Sequence, residues 1–392
     1  MRGAPLCGAA SRKAGSVSTR FGFVSTYPPT LCGLATFTAA LSGELTTTDN
    51  TCGVIRAVDV PQLSRRRDTE VVGELVAGDA GSGRQVAAVL NLGDIAVVQH
   101  EYGIYGGWDG DEILPLLAAL TVPSIVVLHT VLGAPTTHQR EVLEAVAALS
   151  SAVVTMTVAA RTRLATGYAI DMDRVSVIPH GAPAALRRTT SSAGSGRPTV
   201  LTWGLLGPGK GIEWGVEAMA LLRDLDPAPR YLVAGATHPK VLQQQGESYR
   251  TGLTLRAHEL GLDDIVTMDD CYRDSAALAE LVGSADVVLL PYDSIEQVTS
   301  GVLIEAVAAL KPVVATRFPH AVELLSGGAG LLVPQRDPVA IADAVRTLLT
   351  APDLTDRMTA AAIAATPAVL WATVAEQYVE LANQLIRGRV SA

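Results

Sequence analysis

The chain has 392 residues, 48% of them hydrophobic and only 18% charged, with a formal net charge of -9. That length exceeds what one hydrophobic core usually serves, so two domains are expected, and the excess of Ala, Val and Leu in short runs is the profile of strands covered on both faces by helices, an α/β class. The acidic balance gives no field that would gather a polyanion, which argues against a nucleic-acid partner; four scattered cysteines without Cys-x-x-Cys spacing indicate neither a zinc knuckle nor a disulfide scaffold, and fit a reducing compartment.

Residues 1–19 are rich in Gly, Ser, Ala and Arg without the apolar core of a signal peptide, and no later apolar run reaches the roughly eighteen residues of a membrane span. A disordered leader on a cytoplasmic protein is expected. The first strand is predicted at "RFGFVS", followed by the loop "TYPPTLCGLATF" and an Ala/Leu helix. Further strands are predicted at "GVIRAVDV", "IAVVQH", "SIVVLHT", "AVVTMT" and "RVSVIP", with helical patterns between most of them. Arg65, Arg66 and Arg67 are followed at once by Asp68 and Glu70, so a solvated loop is the plain reading and weak peripheral contact with anionic lipid the minor one. Around 182–198 both periods dissolve into a Ser/Gly/Thr-rich stretch expected to be a linker between domains at 20–181 and 199–370. Beyond it "TVLTWG", "RYLVAG", "DIVTMD", "ADVVLLPY", "PVVAT" and "AGLLVP" alternate with helices again. "DPVAIADAVRTLL" is a clear amphipathic helix opened by Asp337 and Pro338. A last helix within 371–392 follows the second sheet and is expected to pack back on the first domain. Strand, helix, strand repeated in this way builds doubly wound parallel sheets, whose ligands bind beyond the carboxyl ends of the strands, here in a cleft between two such domains.

The strand-to-helix loops are therefore the first places to look for chemistry. Gly33, with Pro28 and Pro29, precedes a helix, where a residue without a β-carbon lets backbone approach a phosphate; glycines after a first strand are also common without one. In "WGLLGPGKG", Gly204, Gly207, Gly209 and Gly211 surround Lys210, a loop able to deliver one ammonium to phosphate oxygens; a flexible turn with an exposed lysine is the alternative. His129 ends one apolar strand, while His100, Glu101 and Tyr102 end another, placing candidate acceptor or sugar ligands at equivalent positions, although a single histidine there is more often structural. The strongest stretch is "QVTSGVLIEAV". Ser300, Gly301 and Val302 offer free backbone N-H groups at a helix start, and Glu305 lies about one turn further in, where it could accept hydrogen bonds from two ribose hydroxyls or merely complement the helix dipole.

With these residues in view the chain resembles a retaining glycosyltransferase of the GT-B fold, family 4 (glycosyl transferases group 1). The resemblance runs from Arg20 to the final helix. It is carried by "WGLLGPGKG", "YLVAG", "SADVVLLPY", "QVTSGVLIEAVAALKPVVAT" and "AVELLSGGAGLLVPQRDPVAIADAV", and in the first half by "YPPTLCGLATF", "LHT" and "VSVIPHGAP". It implies two Rossmann-like domains facing a cleft, and transfer of a hexose from a nucleoside-diphosphate sugar to a small-molecule or glycan hydroxyl, with retained configuration and without a metal or other cofactor. It implies Glu305 on the donor ribose, Lys210 with Gly209 on the leaving phosphates, Gly33 approaching them, Ser300, Gly301 and Val302 on the diphosphate, and His129 beside the anomeric centre. Three positions depart from the family pattern: Gln297, with Glu296 one residue away, stands where a second glutamate is usual; Leu205 stands for an arginine; and Cys32-Gly33 stands for a Gly-Gly pair. Arg273 and Arg317 are candidates to replace the missing guanidinium. A sugar phosphorylase, a nucleotide-sugar 2-epimerase or a non-catalytic nucleotide-sugar binding protein share the architecture. The hexose, the base, the acceptor and the oligomeric state are not legible.

Overall fold

The computed structural model describes residues 18–61, 70–79, 81–188 and 196–390. Seven strands form the first sheet: β1 (Arg20–Ser25), β2 (Thr51–Val58), β3 (Val71–Val76), β4 (Ile95–His100), β5 (Ser124–Leu128), β6 (Ala152–Thr155) and β7 (Val175–Val177), in the order β3-β2-β1-β4-β5-β6-β7. Six form the second: β8 (Thr199–Trp203), β9 (Arg230–Ala234), β10 (Val266–Asp269), β11 (Val287–Leu290), β12 (Val313–Thr316) and β13 (Gly330–Val333), in the order β10-β9-β8-β11-β12-β13. Every pairing within both sheets is parallel. The central strands β4, β5, β6, β8, β11 and β12 are buried at every residue, which is why they read as unbroken apolar runs rather than alternating ones.

Strand order reverses between β1 and β4 in the first sheet and between β8 and β11 in the second. At such switch points the helices diverge to opposite faces and leave a crevice beyond the strand ends. Gly33, Lys210 and Ser300 follow β1, β8 and β11 respectively, and His100 is the last residue of β4.

β3 was not among the predicted strands, because "VVGELV" is interrupted by Gly73 and Glu74. It is an edge strand, only partly buried, and needs no continuous apolar run. Residues 182–198 are not all linker. Ala182 is fully buried, its N-H bonds to Val369 O at 2.7 Å and its carbonyl accepts from Trp371 N at 3.1 Å, while Leu186 is buried in the second domain's core. The remainder, 189–195, lies outside the described residues, as do residues 1–17 of the expected leader, Cys7 and the run Arg65–Arg67. Ser18 and Thr19 are held by the fold: Ser18 Oγ donates to Asp49 O at 2.7 Å and Thr19 is buried. The last helix, Trp371–Val390, places Trp371, Val374, Ala375, Tyr378 and Ala382 against Phe21, Phe23, Phe37 and Leu41 of the first domain. Among the described residues no helix is long and apolar enough to cross a membrane.

Candidate functional site: the cleft between the two sheets

The lysine loop leaves β8 through a run of left-handed glycines. Gly204, Gly209 and Gly211 have φ of 114°, 88° and 61°. Gly211 has no alternative, since a β-carbon there would lie 2.0 Å from Pro291 O. That contact, with Asp293 N donating to Gly209 O at 3.2 Å, fastens the loop to the segment after β11. Lys210 Nζ rests 4.2 Å from the centroid of the buried Tyr292 ring, and no carboxylate of a described residue lies within ion-pair distance of it. Its charge is held in place without being neutralised by a carboxylate. Leu205 brings no second cation. Arg273 is ion-paired to Asp269 and so is already neutralised, whereas Arg317 stands exposed after β12 without an ion pair among the described residues.

Ser300 caps the helix Gly301–Ala308, its hydroxyl accepting from Leu303 N at 3.3 Å. The Ser300 N-H donates to His320 Nδ1 at 2.8 Å. The amides of Gly301 and Val302 are the ones a helix start leaves without an intrahelical partner, and they find no other acceptor among the described residues. Gly301 is required because a β-carbon would come within 2.9 Å of His180 Nε2, a first-domain atom. A β-carbon on Gly204 would meet Val302 at 3.3 Å, so the lysine loop and this helix start are neighbours. One turn on, Glu305 accepts from the indole N-H of Trp203 at 3.2 Å, its only hydrogen bond to a described side chain. Burial pushes its carboxyl up to about 7, against the smaller lowering effect of the Trp203 bond. Such a group takes up further hydrogen-bond donors readily once ionised.

Glu296 and Gln297 lie on the same stretch but serve different partners. The Glu296 carboxylate accepts from Arg163 Nη1 at 2.8 Å and from Gly133 N at 2.7 Å, both in the first domain, while the Gln297 amide donates to Thr299 O.

Across the cleft, His129 Nε2 lies 2.7 Å from Gln99 Oε1, a hydrogen bond that fixes the orientation of the ring. Burial, with His180 and His100 nearby, lowers it to about 3. His100 is 1% exposed, both its ring nitrogens lack partners, and burial lowers it to about 4. Glu101 accepts from the Thr130 hydroxyl and is raised by burial. The Tyr102 hydroxyl donates to Gln139 O at 3.3 Å. Lys240, from the second domain, bonds to Gly103 O at 2.7 Å just beyond them. Gly33 opens the helix Gly33–Thr46 and a β-carbon there would meet nothing within 4 Å, so packing does not demand a glycine at that position. Three residues on, Thr36 Oγ1 reaches Tyr272 Oη of the second domain at 3.2 Å.

Two histidines not singled out from the sequence belong to the same region. The His180 ring packs 5.0 Å from Phe37, which also meets His129 at 4.9 Å and Trp371 at 5.0 Å. Burial lowers His180 to about 4, and burial with His180 nearby lowers His320 to about 3. "VIPHGAP" marked only the end of a strand, and His320 sits in a short helix with no distinguishing pattern. Trp203 likewise read as strand filler.

Residues 197–351 match the family model "Glycosyl transferases group 1". The chain is 32% identical over 237 residues, 56% of its length, to a Corynebacterium glutamicum (strain R) protein named D-inositol 3-phosphate glycosyltransferase, and 31% identical over 224 residues, 54% of its length, to one of that name from Nocardia farcinica. These matches cover 54% and 48% of the relatives, so the chain spans about half the length of the curated relatives it matches. Solved structures superpose over nearly the whole chain. A glycosyltransferase from Rickettsia africae covers 94% of this chain and 99% of its own with a TM-score of 0.75 at 16% identity. A sucrose-phosphate synthase from Thermosynechococcus elongatus covers 94% and 100% with 0.76 at 19%, and Anabaena HepE in complex with UDP and glucose covers 93% and 100% with 0.74 at 17%. The chain has the GT-B fold of these structures, and its second domain is similar to glycosyl transferases group 1 over residues 197–351.

Proposed function

We propose that the protein is a retaining glycosyltransferase that moves a hexose from a nucleoside-diphosphate sugar to an acceptor hydroxyl. The observation that carries this reading is the convergence of Lys210, the unpartnered amides of Gly301 and Val302, and Glu305 on one crevice between β8 and β11. An ammonium and two helix amides suit a diphosphate, and a carboxylate one turn deeper suits a ribose diol. The Anabaena neighbour was crystallised with UDP-glucose as well as with UDP and glucose, which supports the same ligand class here.

In the reaction the bond between the anomeric carbon and the phosphate oxygen breaks while the acceptor oxygen bonds to that carbon from the same face. The acceptor proton passes to the departing phosphate oxygen. Lys210 and the helix amides stabilise the charge developing on that oxygen, where one well-placed donor can be worth about 3 kcal/mol. No nucleophilic carboxylate is needed, in keeping with the commitment of Glu296 to Arg163. In this reading Gln297 takes a sugar hydroxyl, and His129, kept neutral by burial, supports the reacting face. The residues in these roles require no metal. His100, Glu101 and Tyr102 border the acceptor side.

Thermal shift against UDP, GDP and ADP tests the donor site. The cognate nucleotide at a hundred times its dissociation constant should add about 2.7 kcal/mol of stability in the wild type and far less in Lys210→Ala. A flat response to all three nucleotides would reject the reading.

A further inference from the structure

We propose that one first-domain helix, Val158–Gly167, is the handle by which the second domain closes the cleft, and that Glu323 is the positioning residue that links this closure to the shape of the donor loop. The link to a donor loop rests on the reading of Ser300–Val302 given above; the closing grip does not.

The helix is held at three places, all by second-domain atoms. At its start Glu323 acts as a cap supplied from the other domain: Val158 N donates to Oε1 at 2.9 Å and Ala159 N to Oε2 at 2.8 Å. Thr157, the residue that caps the helix within its own chain segment by accepting from Ala160 N at 3.0 Å, turns its hydroxyl to Val298 O at 2.9 Å. Further along, Arg163 donates to Glu296 at 2.8 Å and to Ile295 O at 2.6 Å, and the same Glu296 carboxylate takes Gly133 N at 2.7 Å. Between these polar contacts Val298, 2% exposed, inserts into the hydrophobic core of the first domain. A helix start satisfied by a carboxylate gains from both the hydrogen bonds and the dipole, and an apolar plug excludes water from the bonds around it.

The connection to the donor site is short. Glu323 and His320 lie one turn apart on the helix Pro319–Leu325, and His320 accepts the Ser300 N-H at 2.8 Å. On the other side, the gripping segment 295–298 runs into Ser300 within two residues. The cap of the helix Gly301–Ala308 is thus flanked on both sides by elements that also contact the first-domain helix. When the grip releases, the short helix that carries His320, the Ser300 partner, loses its hold on the first domain.

The test uses the full chain without ligand, so that it does not depend on any substrate. Wild type, Glu323→Ala, Glu323→Gln and Arg163→Met are compared by small-angle X-ray scattering and by amide hydrogen exchange read by mass spectrometry. Loss of an N-terminal cap of this kind shifts an equilibrium about tenfold. Glu323→Ala should therefore enlarge the radius of gyration and speed exchange about tenfold in peptides covering 157–163 and also in those covering 298–305, with β8 peptides unchanged. Glu323→Gln, which keeps an acceptor oxygen, should fall between, and Arg163→Met should reproduce the expansion. An unchanged radius of gyration in folded Glu323→Ala and Arg163→Met overturns the grip. Faster exchange confined to 157–163 overturns the link to the donor loop.

Discussion

Replacing Glu305 by Gln should uncouple nucleotide-sugar binding from pH. In the folded protein burial raises this carboxyl from 4.5 to about 7, while the unfolded chain ionises near the lower value. The difference corresponds to about 3 kcal/mol. The folded state holds the proton more tightly, so the stabilising contribution is full below pH 4.5 and is lost as pH rises through about 7. A ribose diol donating two hydrogen bonds favours the ionised form and lowers the pKa in the complex, so binding releases a proton wherever the free carboxyl is still protonated. At pH 6 the free site is about nine-tenths protonated, which should weaken the apparent affinity about tenfold relative to pH 8. UDP-glucose is the suitable probe because its diphosphate is a diester and does not itself titrate in this range. Titration calorimetry in two buffers of different ionisation enthalpy should count close to one proton released at pH 6 in the wild type and none in Glu305→Gln. The variant should bind more weakly at pH 8, with no slope, and by itself should be the more stable protein at pH 8. Equal pH dependence of binding in wild type and variant would refute the assignment of this carboxylate to the ribose.

Further outcomes follow from the same geometry. Lys210→Ala should lower kcat with the cognate donor about a hundredfold, and Lys210→Arg should restore little of it, because the ammonium sits on the Tyr292 ring in a glycine-bound loop. His100, His129, His180 and His320 are all lowered to about 3 or 4 by burial, so their stabilising contribution is present above pH 6.5 and is lost as pH falls toward those values. Urea unfolding between pH 7 and 5 should accordingly show uptake of up to four histidine protons, and His320→Gln should remove one of them. Gly181→Ala would place a β-carbon 2.1 Å from the Trp371 ring and should cost about 1–3 kcal/mol by denaturant titration, loosening the return of the final helix onto the first domain.

Much of the architecture was open to reading because buried parallel strands declare themselves as short apolar runs. "IAVVQH" corresponds to β4 end to end, and Asp337 caps the predicted helix by accepting from Ala340 N at 2.9 Å. What escaped were elements whose stability comes from partners remote in sequence. Among the described residues the edge strand β3 pairs only with β2, and it tolerates Gly73 and Glu74. Ala182 and Leu186 are buried by Leu370 and by the second core, contacts that a Ser/Gly/Thr-rich composition cannot announce. In the cleft, Lys210, Ser300 and Glu305 stood out because glycines or a helix start gave each a local signal. His180 and His320 had none, since one becomes relevant through Gly301 and the other through the Ser300 amide. Glu296 shows the complementary difficulty: its spacing suggested a sugar ligand, while the fold brings Arg163 to it from the other domain.

The proposed reaction breaks the bond between a sugar and a nucleotide and rebuilds it on an acceptor with the same anomeric configuration. Real-time proton NMR of the enzyme with α-linked nucleotide sugars and a panel of polyol and glycan acceptors tests this most directly. The expected result is release of nucleoside diphosphate together with an α-linked product, lost in Lys210→Ala. A β-linked product, or sugar transfer that requires inorganic phosphate and no nucleotide, would contradict it.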